Sequence, residues 1–136
     1  MTIIFPSPEW MKNLEEKLNN DPQYAKIARN WEGELCIQIE PGGAIKEPMI
    51  LYFDLWHGKC RKSALLTEIG DLKPAFLLTA SYENLIRVLK GELNPMQGMM
   101  TRKLHVQGSM AYMMRNIPTV LDFVRCAREA TTEILE

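Results

Sequence analysis

Cysteine pairs, histidine clusters and long apolar runs are all missing from this 136-residue chain. Cys36, Cys60 and Cys126 are odd in number and far apart, with no Cys-x-x-Cys spacing, so zinc and dithiol chemistry are unsupported. Unpaired thiols fit a reducing compartment, and the cytoplasm is the expected location. No stretch approaches the ~20 apolar residues of a membrane helix. The run Ile3 to Phe5 stops at Pro6, too short for a signal peptide core. Charge of one sign is also scarce: sixteen basic residues face seventeen acidic ones, and Arg61-Lys62 and Arg102-Lys103 are mere pairs. Nucleic acid needs a basic patch, so none is expected as a partner, and membrane contact is expected to be transient at most. Gly-x-Ser-x-Gly, His-Glu-x-x-His and glycine-rich phosphate loops do not occur.

Methionine is what the chain has in excess. Six of nine fall between Met96 and Met114. The side chain is unbranched and polarizable, suited to filling a core or to lining a cavity that accepts varied shapes. Around this cluster the pattern is helices, then strands, then helices, which is the α+β class, and 136 residues make one domain, 1–136. Ser7-Pro8 opens a helix with Trp10, Leu14 and Leu18 on one side. Asp21-Pro22 opens a second, carrying Tyr24, Ile27, Ala28 and Trp31. Strands are expected at 33–40, 49–57, 60–67, 75–79 and 103–107, with a hairpin at Gly58-Lys59. Ser81 caps a helix that ends at Gly91, Asn94-Pro95 opens a short one, 109–115 is helical, and Pro118 starts a final helix whose stripe runs to Ile134.

Reactive side chains are few. Asp54 and His57 stand three apart on one expected strand, which sends them to opposite faces. His105 points away from Leu104 and Val106. Cys36 has no evident base, and no metal or cofactor is expected. The strand 49–57 is apolar on both faces, with Leu51, Phe53 and Leu55 on one side and Ile50, Tyr52 and Trp56 on the other. Both faces require cover, from helices on both sides or from a partner chain, which makes a homodimer an expectation.

The segment Gly91 to Met110 resembles the sterol carrier protein type 2 family. The likeness is carried by Gly91, Leu93, Asn94, Pro95, Lys103, Leu104, Val106, Gly108 and Met110, and the upstream order of helices and strands agrees. The chain departs from the family pattern at Arg102, where a glycine is usual, and at Met99-Met100, where an aromatic pair is frequent; after Arg115 the likeness fades. The resemblance implies a short stand-alone form of that fold: a five-stranded, mainly antiparallel sheet covered by helices, with a hydrophobic tunnel between them. It also implies the lining. Met96, Met99 and Met100 fall on the short helix, Leu104 and Val106 on the strand wall, and Met110, Met113 and Met114 on the next helix. Leu51, Phe53, Leu55, Phe76 and Leu78 are the expected sheet-side lining. Arg102, Lys103 and Arg115 are candidates for pairing with a ligand's acidic head.

The expectation is therefore a non-enzymatic carrier of a lipid or acyl-chain ligand, such as a fatty acid or acyl-CoA. Two alternatives stay open. One is an accessory or dimerisation domain with a vestigial tunnel. The other is a small lipid-acting enzyme, which requires a titratable group such as Asp54 inside the cavity.

Overall fold

The computed structural model describes residues 2–136. A short strand β1 (Ile4–Phe5) leads into α1 (Pro8–Asn20). The Ser7 hydroxyl accepts from the Trp10 amide at 3.1 Å, and Trp10, Met11, Leu14 and Leu18 are buried along one side. The Asp21 carboxylate caps α2 (Pro22–Ile27) through the Tyr24 amide at 2.9 Å. That helix is shorter than its apolar stripe. A turn over residues 28–30 carries Trp31 to the sheet, where its ring N–H donates to the Gly33 carbonyl. The ring then packs 5.2 Å from Phe76 and 5.1 Å from Tyr112.

Four strands follow the helices: β2 (Glu32–Glu40), β3 (Met49–Trp56), β4 (Lys59–Leu66) and β5 (Phe76–Ser81). The β3–β4 hairpin turns on His57 and Gly58, one residue earlier than expected, because both hold positive φ (50° and 79°) as a two-residue turn requires. Next come α3 (Tyr82–Leu89), α4 (Pro95–Met100), β6 (His105–Gln107), α5 (Met110–Arg115), α6 (Ile117–Glu129) and β7 (Glu133–Ile134). β6 begins two residues late because the Lys103 and Leu104 amides both donate to the Gly98 carbonyl and close α4. Ile134 leaves the expected helical stripe: α6 stops at Glu129, and β7 pairs in parallel with β1, joining the two ends of the described chain.

The main sheet has five strands in the order β4-β3-β2-β5-β6. Within it β2 and β5 run parallel, and the other neighbouring strands run antiparallel. The fold is α+β with a mixed, mainly antiparallel sheet. Register puts Leu35 beside Phe53 and Phe76, and Ile37 beside Leu51 and Leu78, so these side chains share the face that meets the helices. Phe53 is fully buried and meets the Phe123 ring edge-on at 5.3 Å.

The opposite face is covered in a way the sequence does not announce. Cys36, Ile50 and Tyr52 are buried there under Ile69 and Leu72, which belong to the connection between β4 and β5. Burial pushes the Cys36 thiol up to about 11. Trp56 stacks against His57 and lies beneath the Arg61 guanidinium, 4.7 Å from the ring centre. The apolar face that pointed to a partner chain is thus covered largely by the chain itself.

Candidate functional site

A cavity of about 100 Å³ lies between the inner sheet face and the helices. Leu35, Ile37, Leu51 and Leu78 form its sheet side. Leu85, Val88 and Leu89 of α3, and Val120, Phe123, Val124 and Ala127 of α6, form most of the helical side. Pro95 and Met99 of α4, Leu104, and Met113 of α5 close one part, while Phe5 and Trp10 close another. Every lining residue is apolar, and a space walled like this stays dry. A cavity of that size holds a few small groups, far less than a long acyl chain occupies.

Of the residues expected to line a tunnel, the structure brings together Leu51, Leu78, Met99, Leu104 and Met113. Phe53, Leu55, Phe76 and Met96 are buried but are not among the residues that line the cavity. Phe53 is shielded by Phe123, and Phe76 by Trp31 and Tyr112. Val106 is half-buried against the same core. Met100, Met110 and Met114 are exposed, because α4 and α5 are short helices with only one face against the core. Arg102, Lys103 and Arg115 are exposed as well. Leu35, Ile37, the α3 stripe and Phe123 line the cavity without having been expected there. Strand alternation and helical spacing mark most of them as core; which core positions border a space is a property of packing.

Among the described residues, no titratable side chain borders the cavity. Asp54 lies on the far face, held by Arg61 at 3.0 and 3.2 Å, so the carboxylate that an enzymatic mechanism would place in the cavity is elsewhere. His57 pairs with Glu32 at the hairpin, and His105 is exposed. Burial raises the Cys60 and Cys126 thiols to about 12 and about 11.

Known proteins share this geometry. The pattern of the SCP-2 sterol transfer family matches residues 11–120. The chain belongs to that family. A sterol carrier protein 2 crystal structure is 28% identical, with a TM-score of 0.83 over 90% of this chain and 96% of the other. A conserved hypothetical protein from Thermus thermophilus is 27% identical, with a TM-score of 0.84 over 93% and 89%. Sterol carrier protein 2 of Yarrowia lipolytica, apo form, shares the fold at 18% identity and a TM-score of 0.59, over 91% and 93%. No curated protein matches significantly.

The SCP-2 segment has physical reasons for its small residues. A Cβ on Gly98 would lie 2.9 Å from Leu104 Cδ1, so the glycine makes room for a wall of the cavity. At Gly108 φ is +135°, and a Cβ would come within 2.5 Å of the Ala75 carbonyl oxygen; only glycine lets β6 pass the start of β5 there. Arg102, at the family's usual glycine, holds φ +62° and ends α4 in a Schellman motif. The Lys103 amide donates to the Gly98 carbonyl at 2.9 Å and the Arg102 amide to that of Met99 at 3.3 Å.

An ion network away from the cavity was not anticipated. Arg125 of α6 donates to Asp21 and Asp122 at 2.8 Å and to Glu129 at 3.0 Å, and Lys17 of α1 reaches Asp21 at 3.0 Å. Arg125, helped by the Tyr24 amide and Lys17, holds the Asp21 carboxyl far below the usual carboxylate range. Asp21, Asp122 and Cys126 converge in the manner of metal ligands, but the Arg125 guanidinium already engages both carboxylates.

Proposed function

We propose that this SCP-2 family member is a non-enzymatic carrier that binds and presents an acyl-chain lipid, a fatty acid or acyl-CoA, in the cavity between sheet and helices. The observation that carries the proposal is the all-apolar lining, contributed by both layers of the fold and free of any reactive group. Each buried CH₂ contributes ~0.8 kcal/mol, so a long chain reaches micromolar affinity even after ordering costs. The volume of about 100 Å³ requires the walls to move apart on binding. Met99 and Met113, each on a six-residue helix, are the adaptable parts of that wall. Of the pair Met99-Met100, where the family frequently places rings, Met99 lines the cavity, and a thioether there makes a softer wall, which favours flexible acyl chains over a rigid sterol. Arg102, Lys103 and Arg115 are exposed cations, and a pairing with a ligand's head group contributes ~1 kcal/mol at most for each.

Native mass spectrometry of the freshly purified protein, followed by solvent extraction, tests the proposal. A stoichiometric lipid adduct is expected, and competition should rank palmitate or palmitoyl-CoA ahead of cholesterol. Sterol bound much more tightly than fatty acid would sink the acyl preference. A protein that carries nothing and refuses all three ligands would instead be an interaction domain with a vestigial tunnel, the reading that the small volume favours.

A further inference from the structure

Charge along the chain balances overall but not locally. Between Glu92 and Asp122 there is no acidic residue, yet Arg102, Lys103 and Arg115 fall inside that stretch. All three are exposed, and among the described residues none joins an ion pair, unlike Lys17, Arg61, Lys90 and Arg125. Asp122, the next acid, is buried beneath Arg125.

The same stretch carries exposed apolar side chains. Met100 is 72% exposed, and Met110, Met114 and Leu121 are exposed too. Their placement is systematic. Met99, Met113 and Val120 border the cavity from three elements, and each is followed by one of these exposed residues. One step along a helix turns the side chain by about 100°, so the exposed residues stand on the rim of the layer that seals the cavity, not on its far side. Ile27, also exposed, adjoins this rim, because its carbonyl accepts from the Thr119 hydroxyl at 3.3 Å.

We propose that this rim docks onto the surface of an anionic phospholipid bilayer. Methionine and leucine side chains enter the interface while Arg102, Lys103 and Arg115 meet the head-group phosphates, the division of labour of an interfacial amphipathic surface. A second copy of the chain is the poorer occupant. A two-fold interface sets a patch against itself, which brings three unpaired cations against their own equivalents. α1 is a poorer docking element here: its apolar side is buried in the core, and Glu9, Glu15 and Glu16 offset Lys12 and Lys17. The proposal goes beyond the carrier reading. If that reading holds, docking also sets the sealing helices of the cavity on the lipid source.

Vesicle co-sedimentation of the intact protein tests it, with phosphatidylcholine vesicles containing or lacking phosphatidylglycerol, at low and high salt. Binding is expected to the anionic vesicles only, and to weaken as salt rises. Each basic residue near such a surface is worth about 1 kcal/mol, or roughly fivefold in partitioning, so R102Q/K103Q/R115Q should bind roughly a hundredfold more weakly. A control that neutralises Lys12, Lys62 and Lys73 should bind nearly as the parent does, and circular dichroism establishes that both variants are folded. M100S/M114S, with the charges intact, should bind less and lose its salt-resistant fraction. Equal binding to neutral vesicles, no binding at all, or equal loss in both triple variants would overturn the proposal. So would a concentration-dependent dimer that M100S/M114S abolishes. Fatty-acid loading of the parent protein without vesicles is measured alongside: its failure with vesicle binding intact overturns the carrier reading alone.

Discussion

The helical layer has two halves built on different principles. Where α1 and α2 meet the Arg125 side of α6, large rigid side chains and ions fill the contact, and the cavity begins beyond Trp10 and the Phe123 side of α6. Trp10 and Tyr24 are buried, and the Trp10 ring N–H donates to the Thr131 hydroxyl at 2.6 Å. Arg125 ties two carboxylates of α6 to the one in the turn between α1 and α2. Where α3, α4 and α5 cover the same sheet, the helices are short, methionine replaces aromatic bulk, and a cavity remains. Both halves cover one continuous sheet face. The first half ties the helices to one another through ions; the second seals the cavity with two six-residue helices and adaptable thioethers. A binding protein needs both, because a wall that yields is useful only when its other edge is anchored.

The sharpest way to break this contrast is to attack the anchored half. Arg125→Ala leaves Asp122, only 5% exposed, without its cation, and Asp21 with Lys17 alone. Uncompensated buried charge is costly, and a loss of about 3 kcal/mol is expected in urea denaturation. Asp21→Asn is milder. Asparagine caps α2 as well as aspartate does, so this variant isolates the ion pair and should lose ~1–2 kcal/mol at neutral pH. The sign of the pH dependence follows from the carboxyl lying below its ordinary range. Its contribution is fully present above the ordinary carboxylate value and fades as pH falls. The gap between the stability curves of the parent and the Asp21→Asn variant should therefore begin to narrow below about pH 4 and keep closing as the pH falls further towards the lowered value of the carboxyl. A constant gap across that range would mean that the lost stability is not ionic.

The yielding half should respond in binding more than in stability. Met99→Phe with Met113→Phe narrows the cavity and replaces its two adaptable thioethers by rigid rings. Fatty-acid affinity should fall by at least about tenfold, or ~1.4 kcal/mol, in a fluorescent fatty-acid displacement assay. The conservative pair Met99→Leu with Met113→Leu should change stability by less than ~1.5 kcal/mol. If the Phe pair binds acyl chains as the parent does, the cavity described between these helices is not the binding site.

How far these halves could be read in advance differs as well. All five strands of the main sheet were legible, because alternation in β2 and the turn glycines leave little freedom. The family segment was legible from Asn94-Pro95 and Lys103-Leu104. β1 and β7 were not, because two-residue strands exist only by pairing across the whole length of the chain. The Arg125 network was invisible for the same reason: Asp21 read locally as a helix cap, which it is, and nothing local reveals that α6 returns to it. The methionines were legible as a cluster but not as a surface. Met99 and Met100 are neighbours in sequence, and only the rotation of α4 decides that one seals the cavity and the other faces solvent.

The smallest expected effect tests why the chain departs from its family at Arg102. α3 and α4 end in the same motif. At α3 the Glu92 and Gly91 amides donate to the Arg87 and Val88 carbonyls, with Gly91 at φ +80°; at α4 Arg102 takes the glycine's place at φ +62°. A side chain in this left-handed region costs ~1 kcal/mol, and the greater freedom of an unfolded glycine offsets part of what its removal would return. Arg102→Gly should therefore stabilise the protein by ~0.5 kcal/mol in urea denaturation. If the arginine is held there for the charge it sets on the rim, the same variant should bind anionic vesicles about fivefold more weakly. A more stable protein with unchanged vesicle binding would separate the two effects, leaving the strain at Arg102 without the role that the basic rim assigns to it.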